Sequence, residues 1–501
     1  MKRFFLVLSL SFVLWGCESS SKSEEGRRPN ILFIYTDDHS YRTVGAYPDS
    51  FPWVETPTID RLAGEGVRFG CAYIGTWCMP SRATLLTGHH QFGVESMRME
   101  GPYPGSTYDP DQCPFWPRVF RDEGYVTAQI GKWHTGVDTG FGRDWDFQIV
   151  WNRPKYTETN QHYYYDQPIT YQGGETEILE RYSTDQYTDW AVDFISGEKR
   201  DTAKPWYLWL CYGAVHSPFT PADRHLEAYP GLEIAAPADV FPPRDGKPDW
   251  AQKISEWEKG ADGTPVFQDR SFASWVRQYH QGVLAIDEGV KRLLAILEET
   301  GQRENTLIVF TSDQGLAWGQ HGFRGKKIAP YDANIRSPLI ISFPGRIPEG
   351  VVCDVPVGGV DLVPTFFRFA GIEPPWEMHG NDLSPLLEDQ AADWPHPMLL
   401  TATGQKFGSD TDVIPEGEEV FHAQVPWYVM LRKGAFKYVR PMVPDLEELY
   451  DLANDPDELD NLAVKPEYQE TLRQLRAAAV AELRKDKAGF VDQMPPVLEA
   501  F

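Results

Sequence analysis

"PNILFIYTDD", residues 29–38, is a nearly unbroken apolar run that ends abruptly in two carboxylates. Continuous rather than alternating hydrophobicity from Ile31 to Thr36 marks a strand buried on both faces, the signature of a mostly parallel sheet covered by helices. Three further stretches repeat the pattern. Thr306–Ser312 runs into Asp313-Gln314, Tyr207–Tyr212 leads towards His216, and Tyr125–Ile130 leads into Gly131-Lys132-Trp133-His134. An open parallel α/β sheet binds ligands outside the carboxyl ends of its strands, so all four deliver their polar residues to one rim.

The intervening segments fit this layering. Val283, Ile286, Val290, Leu293, Leu294 and Leu297 recur at helical spacing and stop before Gly301, directly ahead of the Thr306 strand. A second helix opens at Asp361-Leu362-Val363-Pro364, capped by Asp361 or its neighbour, and ends near Gly371. After Leu387 the pattern changes. Trp427–Leu431 and Ala435–Val439 alternate as strands around a turn, and a charged helix spans about Glu467 to Leu483. The expected fold is α/β: a large domain with a central, mostly parallel sheet flanked by helices, and a smaller C-terminal α+β subdomain with antiparallel strands. Residues 140–180 and 217–270 read as long aromatic and polar loops that shape a cleft over the rim.

Asp37, Asp38, Asp313 and Gln314 form an all-oxygen donor set. That composition suits a hard divalent cation, calcium or magnesium, rather than zinc. Without compensation, three neighbouring carboxylates repel one another. The wider charge balance points away from nucleic acid: 73 Asp and Glu stand against 47 Lys and Arg, a formal net charge of -26, and such a surface repels a phosphate backbone. An anionic substrate must be held by cations gathered locally.

The first residues read as an address. Met1-Lys2-Arg3 is a basic start, Phe4–Trp15 is apolar but short, and Leu14-Trp15-Gly16-Cys17 precedes a polar run. This resembles a bacterial lipoprotein signal at 1–16, lipidation of Cys17, and a tether over 17–28, placing the protein at the cell envelope by a lipid anchor. The expected catalytic domain is 29–387 and the C-terminal subdomain 388–501. Cys71, Cys113, Cys211 and Cys353 lack metal-ligand spacing and are either buried thiols or members of one or two disulfides.

Cys78, between Trp77 and Pro80, reads as an exposed, reactive thiol. Its surroundings, Cys78-Met79-Pro80-Ser81-Arg82-Ala83-Thr84-Leu85-Leu86-Thr87-Gly88, match the C-x-P-S-R-x-x-x-L-T-G signature of formylglycine-dependent sulfatases (type I sulfatases of the alkaline phosphatase superfamily). The resemblance continues in order through "GKWHTG", "HSPF", "TSDQG", "HGFRGKK", "DLVPTFF" and "LYDLANDPDELDNLA". It implies that Cys78 is oxidised to formylglycine by a maturation enzyme. The aldehyde hydrate then takes sulfate from an ester and expels it by carbon–oxygen cleavage.

By the same resemblance, Asp37, Asp38, Asp313 and Gln314 bind Ca2+ together with the modified Cys78, and Arg82 orients it. Lys132 and His134 serve turnover of the sulfated residue, and His216 protonates the leaving alcohol. A lysine after His321 grips the sulfate. Counting forward selects Lys326 and counting back from Tyr331 selects Lys327, which is preferred. His39, His89, His90 and Arg336 read as either lining or packing residues, and the aromatics of 140–180 as sugar platforms or core. The substrate implied is a sulfated carbohydrate, with algal polysaccharide ahead of glycosaminoglycan. A phosphonate monoester or phosphodiester hydrolase, or an inactive glycan-binding lipoprotein, are the alternatives.

Overall fold

The computed structural model describes residues 27–95, 97–99, 106–159 and 161–498. The expected signal at 1–16, Cys17 and nearly all of the tether lie outside the described residues.

Eleven strands form the main sheet: β1 (Asn30–Thr36), β2 (Val67–Tyr73), β3 (Val126–Lys132), β4 (Phe147–Trp151), β5 (Gln167–Tyr171), β6 (Thr176–Leu179), β7 (Trp206–Cys211), β8 (Thr306–Ser312), β9 (Ser337–Ser342), β10 (Val351–Cys353) and β11 (Val357–Gly358). Their order is β10-β2-β9-β8-β1-β7-β3-β4-β5-β6, with β11 beside β2. The centre, β8-β1-β7-β3-β4, is parallel throughout. β9, β5 and β6 run antiparallel to their neighbours. Register decides where the site lies: β1 and β8 pair residue for residue from Asn30↔Thr306 to Thr36↔Ser312. Asp37 and Asp313 therefore leave the sheet side by side.

β1 shows why the run needs no polar face. Leu32 and Ile34 pack on one side with Val283, Ile286 and Val290 of the helix Phe272–Glu299. Ile31, Phe33 and Tyr35 pack on the other with Leu362, Val363 and Phe366 of the helix Gly359–Ala370. Each such side chain, removed from water on folding, contributes about 1.5–3 kcal/mol. Asp361 is not the cap of its helix. It sits in the first turn, where its carboxylate accepts from the backbone N–H of Gly358 at 2.8 Å and of Asn381 at 2.8 Å.

The expectation of a loop over 140–180 is corrected: β4, β5 and β6 lie there and extend the sheet. Phe147–Trp151 is buried along its whole length and pairs with β3, so its backbone groups are satisfied in the sheet despite the polar composition around it. Residues 217–270 hold turns, a short helix at Asp249–Gln252 and strands of two or three residues. Among the described residues no disulfide forms, and Cys71, Cys113, Cys211 and Cys353 are buried thiols.

A second, antiparallel sheet follows in the order β12 (Met398–Ala402), β13 (Tyr428–Lys433), β14 (Phe436–Pro441), β15 (Glu448–Asp451), with a closing helix at Gln469–Lys485. Tyr428, Met430 and Val439 share one apolar cluster with Tyr73, Trp77 and Met79. The second sheet therefore backs onto the segment that carries Cys78.

Candidate active site

Cys78 opens helix α1 (Cys78–Thr87), whose residues are all buried. Pro80 is tolerated because the first turn needs no N–H from it. Ser81 secures that turn by donating its hydroxyl to the Trp77 carbonyl at 2.7 Å, and Gly88, at φ 76, ends the helix in the left-handed region. Arg82 follows Cys78 by one helical turn, so both project from the same face. The thiol is thus enclosed, 1% exposed, rather than presented to solvent.

That face meets the ends of β1, β3 and β8. The Cys78 thiol donates to Asp37 Oδ1 at 3.4 Å and accepts from Lys327 Nζ at 2.9 Å. Arg82 donates to Asp37 Oδ2 at 2.9 Å and to the Lys132 carbonyl at 3.0 Å. Lys132 donates to the same Asp37 oxygen, and Gly131 before it allows the close approach: a Cβ there would lie 2.1 Å from the Cys211 carbonyl oxygen of β7. Lys327 also donates to Asp38 Oδ1 at 2.6 Å, and Gln314 Nε2 donates to that oxygen. Asp313 Oδ1 accepts the backbone N–H of Asp38 at 2.8 Å. At or next to these contacts Asp38 at φ 56, His134 at φ 69 and Ile328 at φ 79 hold left-handed backbone without being glycine. Such strain is concentrated at sites where side-chain direction is over-determined.

The electrostatics follow from this crowding. Burial alone would raise Asp37, but Lys132 and Arg82 outweigh it and hold the carboxyl well below its usual range. Burial and the neighbouring Asp37 push Asp38 up despite Lys327. Burial, then Asp37 and Asp38, push Asp313 up to about 7. Burial and Asp37 push the Cys78 thiol up to about 12. Asp313 Oδ2 and Gln314 Oε1 are buried with no hydrogen-bond partner. Two orphaned oxygens beside competing carboxylates fit a divalent cation, which would satisfy both at once. The ligand atoms of Asp37, Asp38, Cys78 and His216 lie within 4.8 Å of one another.

The two histidines occupy the flanks. His216 Nδ1 lies 2.8 Å from the Ser217 carbonyl oxygen, a contact that requires the proton on Nδ1, and Nε2 faces Asp38 Oδ2 at 3.6 Å. Burial and then Lys327 hold this ring well below the usual histidine range, hence neutral. Its face lies flat on Tyr163, with centroids 3.9 Å apart, and Tyr163 also receives a hydrogen bond from Lys132 at 3.4 Å. His134 is likewise held low by burial and by Lys132. Its Nε2 accepts from Arg153 Nη1 at 3.2 Å.

Every residue expected at the site converges there except Lys326. Lys326 ends a short strand of a hairpin (Arg324–Lys326 against Ala317–Trp318) and reaches Glu256 at 3.5 Å. Side chains alternate along the strand, so Lys327 turns inward as Lys326 turns out. His39 packs edge-on to Phe310 with its Nδ1 3.2 Å from the Thr36 hydroxyl. His89 and His90 lie beyond the far end of α1, against Glu377 and Asp486. Arg336 lies between Asp49 and Asp332, over the ring of Tyr41.

Arg153 and Tyr163 were not singled out from the sequence. The aromatic "HYYYDQ" stretch, residues 162–167, is a signal for Tyr163 alone, and the loop reading of 140–180 hides the connection from β4 to β5 that brings both residues over β3.

Comparison with known proteins agrees with this geometry. The family model described as Sulfatase matches residues 29–372. An N-acetylglucosamine-6-O-sulfatase of Bacteroides thetaiotaomicron is 29% identical, over 98% of this chain and 93% of its own. An ulvan-active sulfatase of Formosa agariphila is 26% identical, over 94% and 85%. A solved structure of a protein in complex with its substrate D-glucosamine-2-N,6-O-disulfate superposes with a TM-score of 0.77 at 26% identity, covering 94% of this chain and 100% of that one. The central parallel sheet, the helix that opens at Cys78 and the family match over most of the chain together place this protein in the sulfatase family, as a sulfuric ester hydrolase with the alkaline-phosphatase-like fold.

Proposed function

We propose that the protein removes sulfate from a sulfated carbohydrate, with Cys78 matured to formylglycine and Ca2+ held by Asp37, Asp38, Asp313 and Gln314. The observation that carries the reading is the position of Cys78 Sγ, 2.9 Å from Lys327 Nζ and 3.4 Å from Asp37 Oδ1. At that position a nucleophile meets a cation for the sulfate and a carboxylate for the metal. The 6-sulfate of an N-acetylglucosamine is the first substrate to test, because the relative bearing that activity aligns over 98% of this chain. Sulfated algal polysaccharide is the second, supported by the ulvan-active relative.

Calcium in the oxygen set supplies positive charge against the developing anion and favours ionisation of the nucleophile's hydroxyl. The chain's own residues do the rest. Arg82 and Lys132 keep Asp37 ionised and fix its carboxylate. Lys327 Nζ binds a sulfate oxygen in a site that excludes water, where charge stabilisation is strong. An anion arriving beside His216 raises the proton affinity of its ring, and Nε2 can then pass a proton to the leaving alcohol. Neutral His134 has its basic nitrogen, Nε2, held by Arg153, and it serves as a base for turnover once that contact opens.

The N-terminal Met1–Cys17 segment supports export and a lipid anchor at the bacterial envelope, and the Cys78 signature supports a formylglycine-generating enzyme as partner. The test is ion chromatography on full-length protein matured by such an enzyme, offered 6-sulfated N-acetylglucosamine, glycosaminoglycan and algal oligosaccharides, and phosphonate esters. Sulfate release that is absent in Cys78→Ala and lost on chelation is expected. Phosphonate release from those esters without sulfate from any saccharide overturns the reading.

A further inference from the structure

The C-terminal subdomain brings a histidine against the residue that precedes α1. Phe421–His422 pairs with Val425–Pro426 in a tight hairpin, its turn held by left-handed Ala423 and Gln424 at φ 49 and φ 72. This short connection fixes the direction of His422. The imidazole stands edge-on to Trp77, with centroids 4.9 Å apart, and Trp77 is the residue just before Cys78. Trp77 is itself anchored by an indole hydrogen bond to the Gly404 carbonyl at 3.2 Å. Gly404, at φ 57, lies under both groups: a Cβ there would meet Trp427 Nε1 at 2.8 Å and the Cβ of His422 at 3.7 Å.

His422 makes no ion pair or hydrogen bond with any described residue, and its Nδ1 is buried without a partner. The residue as a whole remains partly accessible. A buried polar atom left without a partner costs about 1–3 kcal/mol, so the ring beside the Cys78 segment has bonding capacity to spare for a ligand. The chemistry of that ligand can be read from the surroundings. Burial, with Lys327 and Lys326 as the nearby charges, pushes the imidazole down to about 4. At neutral pH it is therefore an uncharged group with one donor and one acceptor nitrogen. It complements a hydroxyl, whereas the sulfate is left to Lys327.

We propose that His422 is a specificity-determining residue that hydrogen-bonds a ring hydroxyl of the sugar whose sulfate ester is held by Lys327. The assignment rests on the carbohydrate sulfatase reading above. It makes the C-terminal hairpin part of the substrate site and gives Trp77 a second role as the wall that orients the imidazole.

The test compares wild type, His422→Ala and His422→Gln in the matured full-length enzyme, on the sulfated saccharide that wild type turns over best. Inorganic sulfate serves as a competitive inhibitor that reads the charged pocket alone. Loss of one uncharged hydrogen bond should raise KM about tenfold in His422→Ala. The kcat, the inhibition constant for sulfate and the Tm should stay near wild type, and His422→Gln should recover part of the loss. An unchanged KM overturns the proposal. So does a parallel rise of KM and the sulfate inhibition constant, which would mark a structural role. Absence of sulfate release by wild type from every saccharide would instead sink the underlying reading, and this proposal with it.

Discussion

Lys326 and Lys327 are neighbours with opposite fates. Lys327 Nζ contacts Cys78 and Asp38, whereas Lys326 reaches Glu256 with its side chain 36% exposed. Counting along the chain could not separate them, because the interval from His321 to Tyr331 can be measured from either end. Strand alternation and the left-handed Ile328 that follows decide it. Lys327→Ala should lower kcat/KM for sulfate release about 10²–10³-fold, as loss of one charge-stabilising donor does. Lys326→Ala should stay within about threefold, since an exposed ion pair contributes little. Equal losses in the two variants, measured by sulfate release under matched maturation, would reverse the assignment. Asp37, Asp38, Asp313 and Gln314 were legible for a simple reason: each follows a buried strand directly, so its position is set by the sheet. Tyr163 and Arg153 arrive from a distant connection, and no local pattern records which strand end such a connection crosses.

At the scale of elements, the strands and long helices followed from apolar periodicity, and the two C-terminal strands came within a few residues of their observed bounds. What periodicity could not reveal is that the antiparallel sheet holds the Lys327 loop from behind. The Tyr428 hydroxyl of β13 donates to the Ile328 carbonyl at 2.6 Å. Lys437 of β14, fully buried, donates to the Pro330 carbonyl at 3.0 Å and to Glu458 at 2.8 Å, and also pairs with Asp332. Five residues beyond Lys327, Asp332 is thus clamped by a strand more than a hundred residues later in the chain. Lys437→Met keeps the length of the side chain but leaves buried Glu458 without its cation and Asp332 with Arg336 and Arg432 alone, a change that costs about 3–5 kcal/mol. The expected outcome is a lower Tm together with a loss of sulfate release at temperatures where circular dichroism still shows a folded protein. A lower Tm with wild-type turnover would mean that the clamp serves stability alone.

Over the whole molecule, an acidic chain with a net charge of -26 pairs buried cations such as Arg82, Lys132 and Lys437 with buried carboxylates and keeps its enclosed histidines uncharged. Burial is the leading cause in each case, pushing His39 and His379 down to about 3 and His280, His321 and His422 down to about 4. In the unfolded chain these rings titrate near 6.5. Between about pH 6.5 and 4 the unfolded state therefore binds protons that the folded state refuses, so stability falls as the solution is acidified. Raised carboxyls act in the opposite sense, chiefly through burial: Asp144 is pushed up to about 6 and Asp313 and Glu458 to about 7, and Asp38, Asp60, Asp287 and Asp361 are raised as well. They take up protons in the folded state over much of the same range. With His134 and His216 also held low, the rings outnumber the carboxyls pushed furthest, which leaves a net uptake of protons on unfolding. Urea unfolding followed by tryptophan fluorescence from pH 7 to 4.5 should show that decline. Calcium should steepen it, because a cation bound to ionised Asp313 removes one of the opposing carboxyls. A flat or rising stability on acidification would mean that the buried histidines gain protons in the folded protein, and that the interior is more open to water than its packing indicates.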